Sequence, residues 1–267
     1  PAWVWWPGLA GGRSRVLLNP APSLRPSVEF RLAEGEQAEA QQRRQSFLGT
    51  GSACDWASVR CQVEPHPALQ LVERRFDYRA ERRQVLRLPA VPARLLAPGA
   101  DFTIGVLVGP SGTGKTTALR AFRPGPLPPP DRPAGPVAVA AAAGACPDDP
   151  SLGRKLLLAL GLGEEESSKA LAALSSGEQH ICAVAAALLD APEGVAAVDE
   201  LGSRLDPAAR AKLCSGVRAA LLGEAGLDVP ARRLVAATVH AQVAAWLQAD
   251  WVLDTAAGML WERRGEA

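Results

Sequence analysis

The sequence predicts an α/β fold, a mostly parallel sheet covered by helices on both faces. Two observations lead there. From Leu69 onward, short apolar runs of strand character alternate with helical blocks, the order that a parallel sheet with crossover helices requires. And the polar clusters with chemical character stand at the carboxyl ends of those runs or open the helix that follows, which is where ligands sit in such sheets.

Taken in order, residues 1–67 carry little pattern and are read as an N-terminal extension. They are Pro-rich to Pro26, then polar and helix-compatible from Val28 to Phe47, and Trp3, Trp5 and Trp6 have no reading. Gln45–Gly51 holds a lone Gly-x-Gly, weak as a phosphate loop, and is expected to turn. The domain proper is expected over 68–262. Phe102–Val108 is a buried-strand run, followed by a Gly-rich turn and a helix from Lys115 to about Phe122. Val195–Val198, Leu234–Val239 and Trp251–Leu253 are further strands, with helices near Ser176–Leu189, Pro207–Leu222 and Ala241–Leu247.

The 267 residues suffice for one good-sized core, and 48% apolar with 21% charged is ordinary for a globular chain. A net charge of +1 gives no prior for nucleic acid or membrane. Of the 29 basic residues only four are Lys, which fits a GC-rich coding sequence. The five cysteines are scattered without a C-x-x-C pair, so free thiols in a reducing, cytoplasmic setting are expected. No apolar run approaches the roughly 18 residues that cross a bilayer. With no initiator Met and no signal-peptide shape, the chain is read as a fragment of a longer protein.

The strongest local signal is Gly109, Pro110, Ser111, Gly112, Thr113, Gly114, Lys115 and Thr116, a full G-x-x-x-x-G-K-[ST] between strand and helix, with Thr117 next. Glycines let successive backbone N–H groups turn inward as an anion nest, and the helix start adds its positive end. Lys115 reaches β- and γ-phosphates, and the Thr116 hydroxyl can ligate Mg²⁺. About sixty residues on, Leu174-Ser-Ser-Gly-Glu-Gln179 reads as a helix start, with Ser175 at the N-cap and Glu178 completing a capping box. Ile181, Val184, Ala185 and Leu188 then repeat on one helical face. Taken by itself that stretch is equally a plain capped helix.

Val195–Val198 ends in Asp199 and Glu200. Facing a P-loop, such a pair divides the labour: Asp199 holds Mg²⁺, and Glu200 polarises the attacking water. Asp206 and Pro207 form a good N-cap and first helical residue. His240, one of three histidines, ends a strand on the rim that carries the P-loop.

Together, and in this order, the motifs resemble the ABC-type ATPase family over about Leu69 to Trp261. Gly109–Thr116 matches Walker A, Leu174–Gln179 the signature, Val195–Glu200 Walker B with its catalytic Glu, 203–206 the D-loop, and His240 the switch His. The resemblance implies a P-loop NTPase fold, an N-terminal antiparallel β-subdomain, and a helical subdomain at about 146–178. It also implies ATP and Mg²⁺ as ligands, with ATP sandwiched between two domains. Ser175 and Gly177 would then contact the partner's ATP, and Lys115, Glu200 and His240 would carry catalysis. Together with Ser176-Gly-Glu-Gln179 and Val108–Gly114, the tail from Thr238 through Trp246 to Asp254 further resembles stand-alone ABC ATPases associated with GNAT acetyltransferase modules. No such module is recognisable in this chain.

The sequence departs from the family in places. The stretch Val137–Pro150, where the Q-loop belongs, contains no Gln, so Asp148 or Asp149 takes its place or the contact is missing. Only 59 residues separate Lys115 from Ser175, so the helical subdomain is cut down, which argues against a membrane-transporter partner. For stacking on adenine, Phe76 and Tyr78 are the candidates, and packing as strand residues in the β-subdomain is the plainer reading. Two other functions compete. The stretch 71–94, with seven Arg against three acids, suits a nucleic-acid- or ribosome-associated ABC ATPase, though an Arg-rich β-hairpin is commonly a solvated face. A non-hydrolysing regulatory cassette is the other, opposed by the presence of both Glu200 and His240.

Overall fold

The computed structural model describes residues 3–5, 15–17, 49–62, 67–76, 83–123 and 150–263. At its centre is a six-stranded sheet in the order β3 (Gly49–Ala53), β10 (Met259–Arg263), β9 (Trp251–Asp254), β6 (Ile104–Val108), β8 (Arg233–Thr238), β7 (Val195–Val198). The pairs β9–β6, β6–β8 and β8–β7 are parallel, and β3 and β10 pair antiparallel at one edge. Two antiparallel pairs stand beside it: β1 (Trp3–Trp5) with β2 (Arg15–Leu17), and β4 (Trp56–Gln62) with β5 (Arg83–Pro89). The expected α/β class with a mostly parallel sheet and an N-terminal antiparallel part is what the chain adopts.

The central strands are apolar throughout because both their faces are covered. Successive side chains alternate between faces. Val106, Ala196, Val198, Leu234, Ala236 and Val252 point into one core, against α4 (Pro150–Ala159), α6 (Ser176–Leu189), α7 (Pro207–Leu221) and α8 (Gln242–Trp246). Leu107, Ala197, Val235, Ala237, Trp251 and Leu253 point into the other. There they meet Leu95 of α2 (Ala93–Leu96), Phe102, and Ala118 and Leu119 of α3 (Lys115–Leu119). The last α-helices are α1 (Pro67–Phe76) and the short α5 (Glu164–Ser167). Among the described residues no helix is long and apolar enough to cross a membrane. Cys54, Cys182 and Cys214 are free, and burial pushes the Cys182 and Cys214 thiols up to about 11 and about 12.

Three expectations are corrected. Gly49–Gly51 is not a turn but the start of β3, an edge strand of the main sheet. Gly51 stands directly across from Trp261, and a Cβ there would lie 2.9 Å from Trp261 Nε1, so the glycine makes room for the indole. The main sheet thus draws a strand from upstream of position 68. The Arg-rich stretch is not one hairpin either. Pro67 opens a helix, as proline favours the first helical position, and Phe76 is that helix's last residue, 71% exposed, instead of a packed strand residue. Finally, α3 stops at Leu119 and not near Phe122. Ala121 and Phe122 donate to Ala118 and Leu119, the tighter i−3 pattern. That curl brings the Phe122 ring onto Trp251 at 5.5 Å and 21°.

Trp251 fills the space beside Gly105 of β6, where a Cβ would run into its indole ring. Overpacking of this kind costs about 1–3 kcal/mol. Gly105→Ala should therefore lower the unfolding free energy by about that amount. Urea titration of the two proteins measures it, and an unchanged midpoint would show that Trp251 can move aside.

Candidate functional site

Three parallel strands end at one level, Val108 of β6 in register with Thr238 of β8 and with Asp254 of β9, and β7 ends two residues earlier, its Val198 in register with Ala236. The loops and turns that leave these strands share one rim. After β6 comes Gly109–Gly114. Gly112 and Gly114 hold φ of +81° and +85°, the left-handed region in which a side chain is strained. Gly114 also lies under Leu88 of β5, which occupies the place of its missing Cβ, so the antiparallel pair closes over the loop.

Thr113 Oγ1 donates to Pro110 O at 2.9 Å and lies 2.6 Å from Thr255 Oγ1. The Thr255 hydroxyl and N–H both reach Val108 O, at 3.2 Å and 2.8 Å. A Cβ on Gly109 would strike that Thr255 hydroxyl. The loop is thus pinned from the turn after β9, by a residue that sequence reasoning passes over. Its signal is present: it is a polar residue that comes just after an apolar strand, as Asp199 and His240 do.

The Lys115 side chain is buried, and its Nζ donates to Pro110 O at 2.7 Å, curled into the loop. Desolvation lowers its pKa, while the negative charges of Asp199 and Glu200 pull it up. Thr116 Oγ1 donates to Asp199 Oδ2 at 2.7 Å, and Asp199 Oδ1 accepts the Glu200 N–H at 3.0 Å. Pro110, Ser111 and Gly112 are exposed or nearly so at the loop tip, and Thr117 is half-buried behind it.

Glu200 is exposed and holds φ of +54°, opening a turn that is gripped on every side. Leu201 N–H donates to Ala237 O at 2.8 Å. The Thr238 hydroxyl donates to Leu201 O at 3.1 Å and accepts the His240 N–H at 3.2 Å, which ties His240 to the same turn. Gly202 N–H donates to His180 Nε2 at 3.0 Å. Buried Arg210 donates from Nε to Gly202 O at 2.8 Å and from Nη2 to Leu205 O at 2.7 Å. Desolvation lowers the His240 pKa, and the nearby Arg210 charge adds to it. Asp206 caps α7, accepting from the Ala208 and Ala209 N–H groups, and those bonds lower its pKa, Ala209 most.

The structure does not bring Ser175 and Gly177 to the loop of their own chain. Ser175 caps α6 in a reciprocal capping box with Glu178, and Gly177 packs against Leu205 and the Arg204 carbonyl. Ser175 is exposed and Gly177 half-exposed. Tyr78, Asp148, Asp149 and the Gln-free stretch as far as residue 149 lie outside the described residues. Sequence reasoning missed His180 and Arg210 as well as Thr255. His180 is 4% exposed, inside a helix whose apolar face hid it.

No protein-family model matches the chain, and no curated protein does. Among solved structures it is similar to a dimeric bacterial ABC transporter cassette, at 18% identity and TM-score 0.46, over 64% of this chain and 87% of that one. It is also similar to a post-hydrolysis dimer of an ATP-binding cassette bound to ADP and Pi, at 16% and 0.49, over 70% and 95%. A third is a protein from Clostridium perfringens that is part of an ABC transporter complex, at 19% and 0.39, over 57% and 72%. Likeness at this level fixes no residue's role.

Burial lowers the His180 pKa to about 4, with the Arg204 charge adding to it. Below the usual pH of about 6.5 the unfolded chain takes up a proton that the folded chain refuses until about pH 4. Stability should therefore fall as pH drops through that window, by up to about 1.4 kcal/mol per pH unit from this one group. His180→Gln removes the titration, so its stability–pH curve should be flatter than wild type between pH 6.5 and 4, as chemical denaturation across pH would show. Parallel curves would mean that the folded chain protonates His180 as readily as the unfolded chain does.

Proposed function

We propose that the chain is an ABC-type ATPase that binds Mg·ATP, hydrolyses it, and works as a nucleotide-sandwiched dimer. The observation that carries this is the 2.7 Å bond between Thr116 Oγ1 and Asp199 Oδ2, with Glu200 next in the chain. It joins the phosphate loop to the acid pair across 83 residues, as a site for a metal-bound triphosphate requires.

Gly109–Thr117 would wrap the phosphates with backbone N–H groups. Lys115 would move its ammonium from the Pro110 carbonyl to the β- and γ-phosphates, exchanging a neutral acceptor for a charged one. Mg²⁺ fits Thr116 and Asp199, since hydroxyl and carboxylate oxygens are the hard donors it accepts, and phosphates and water commonly supply the rest of its shell. Among the described residues no cluster of three or more His, Cys, Asp or Glu offers a larger cage. When bound, the ion neutralises phosphate charge. Glu200, exposed at the rim, would take the proton of the attacking water. His240, tied through Thr238 to the Glu200 turn, would meet the γ-phosphate.

Ser175, exposed at the N-cap of α6, and Gly177 would contact the ATP of a second chain. The ATPase domain would begin near Gly49, because β3 completes its sheet. Placement among the stand-alone cassettes associated with acetyltransferase modules rests on the Thr238–Asp254 tail with Ser176–Gln179 and Val108–Gly114.

Lys115→Ala should weaken Mg·ATP binding by about 10- to 100-fold, the worth of a charge-assisted bond, with the melting curve retained. Unchanged affinity by calorimetry would remove the loop from nucleotide binding.

Glu200→Gln keeps shape but cannot take a proton, so turnover should drop by about 10²- to 10⁴-fold while binding persists. Trapped ATP should then hold two chains together, since a ligand favours the state that binds it better. On size exclusion this protein should run as a monomer alone and as a dimer with Mg·ATP, and adding Ser175→Arg should abolish the shift. Wild-type turnover in Glu200→Gln would remove Glu200 as the base, and a persistent ATP-bound monomer would refute the sandwich.

A further inference from the structure

We propose that His180 is a positioning residue for hydrolysis: its neutral Nε2 holds the Gly202 amide and so aims the turn that carries Glu200. The proposal rests on the ATPase reading and extends it to a residue outside every motif. Two left-handed residues, Glu200 at φ +54° and Gly202 at φ +73°, flank Leu201, which is fully buried. A backbone with two reversals in three residues does not hold itself, so partners must hold it. Gly202 is gripped at both ends: its N–H by His180 Nε2 from α6, its C=O by Arg210 Nε from α7. Arg210 also packs where a Gly202 Cβ would sit, at 2.5 Å from its Cγ, which fixes glycine at that position. The bond from Gly202 N–H requires an acceptor on the imidazole, and Nε2 is an acceptor only in the neutral ring. Burial keeps the ring in that form.

The grip does not touch the nucleotide-binding half of the site. Asp199 precedes the turn, at the end of β7, and its bond to Thr116 is made on the loop side. Losing the His180 acceptor would therefore shift Glu200 and leave the phosphate loop in place. That predicts a split: turnover falls and affinity stays.

The test compares wild type with His180→Gln, whose amide oxygen reproduces the Nε2 acceptor, and His180→Leu, which fills space without one. Mg·ATP affinity by calorimetry should stay within about twofold in both. Turnover should be near wild type in the glutamine protein and about 10- to 100-fold lower in the leucine protein. His180→Asn, too short to reach Gly202, should behave like leucine and serves if the leucine protein does not fold. Hydrogen exchange over residues 200–205 without nucleotide should be faster in the Leu or Asn protein and unchanged in the Gln protein. Equal turnover in all variants, loss of affinity and turnover together without rescue by glutamine, or unchanged exchange would each overturn the role of His180. A wild-type chain that binds ATP without turning it over would refute the ATPase reading instead, and the exchange experiment would still decide whether His180 holds the turn.

Discussion

A strand buried on both faces can satisfy its backbone only through neighbours in the same sheet, and its side chains must be apolar on both sides. β6, β8, β7 and β9 obey that constraint together, and their register brings Val108, Thr238, Val198 and Asp254 close to one rim. The first residues free of the constraint come immediately after: Gly109, Asp199, Thr255, and two positions on from β8, His240. Polar chemistry collects there because it is the nearest place to the core where a polar group can face solvent or a ligand. The loop geometry, the Thr116–Asp199 bond and the Glu200 turn all inherit their positions from that shared level.

Much of this is legible in the residue order. The strands from Ile104 to Asp254 show as apolar runs, and the helix over 176–189 is bounded by a capping box that the structure reproduces at Ser175 and Glu178. The loop Gly109–Thr116 and the acid pair are legible because their chemistry restricts residue type: only glycines suit Gly112 and Gly114, and only a hydroxyl and a carboxylate make the bond between residues 116 and 199. β3 is not legible, since its glycines and serine are turn residues by propensity and Thr50 is the one strand former among its five residues. Its strand state is imposed by pairing with β10, more than 200 residues away. His180, Arg210 and Thr255 are hidden for a related reason. Each is an ordinary residue in an ordinary element, and its importance lies in one long-range bond to a backbone group or a hydroxyl.

The electrostatics of the rim stem from the same packing. Lys115 and Arg210 are both buried cations, each occupied with carbonyl oxygens. Lys115 has one such bond and two carboxylates within electrostatic reach, so its charge can be redirected to an incoming anion. Arg210 has two, to Gly202 and Leu205, and serves as a fixed brace. Its charge also holds His240 toward the neutral form. One cation is thus free to move and the other is committed to structure, though both lie beneath the same rim.

The pinning of the loop by Thr255 has a consequence for biosynthesis. A chain emerging from the ribosome presents β6 and Gly109–Thr116 long before the strand that lies against β6 on one side. β9 and Thr255 are made about 140 residues later, and until then Val108 O and Thr113 lack the partner that fixes them. Non-local pairing of this kind is slow to form because its loop-closure entropy must be met first. The nascent chain therefore carries the loop in an unfinished state while all the intervening helices and strands are made, and the pinned form of the loop arrives only once β9 and the turn after it have emerged.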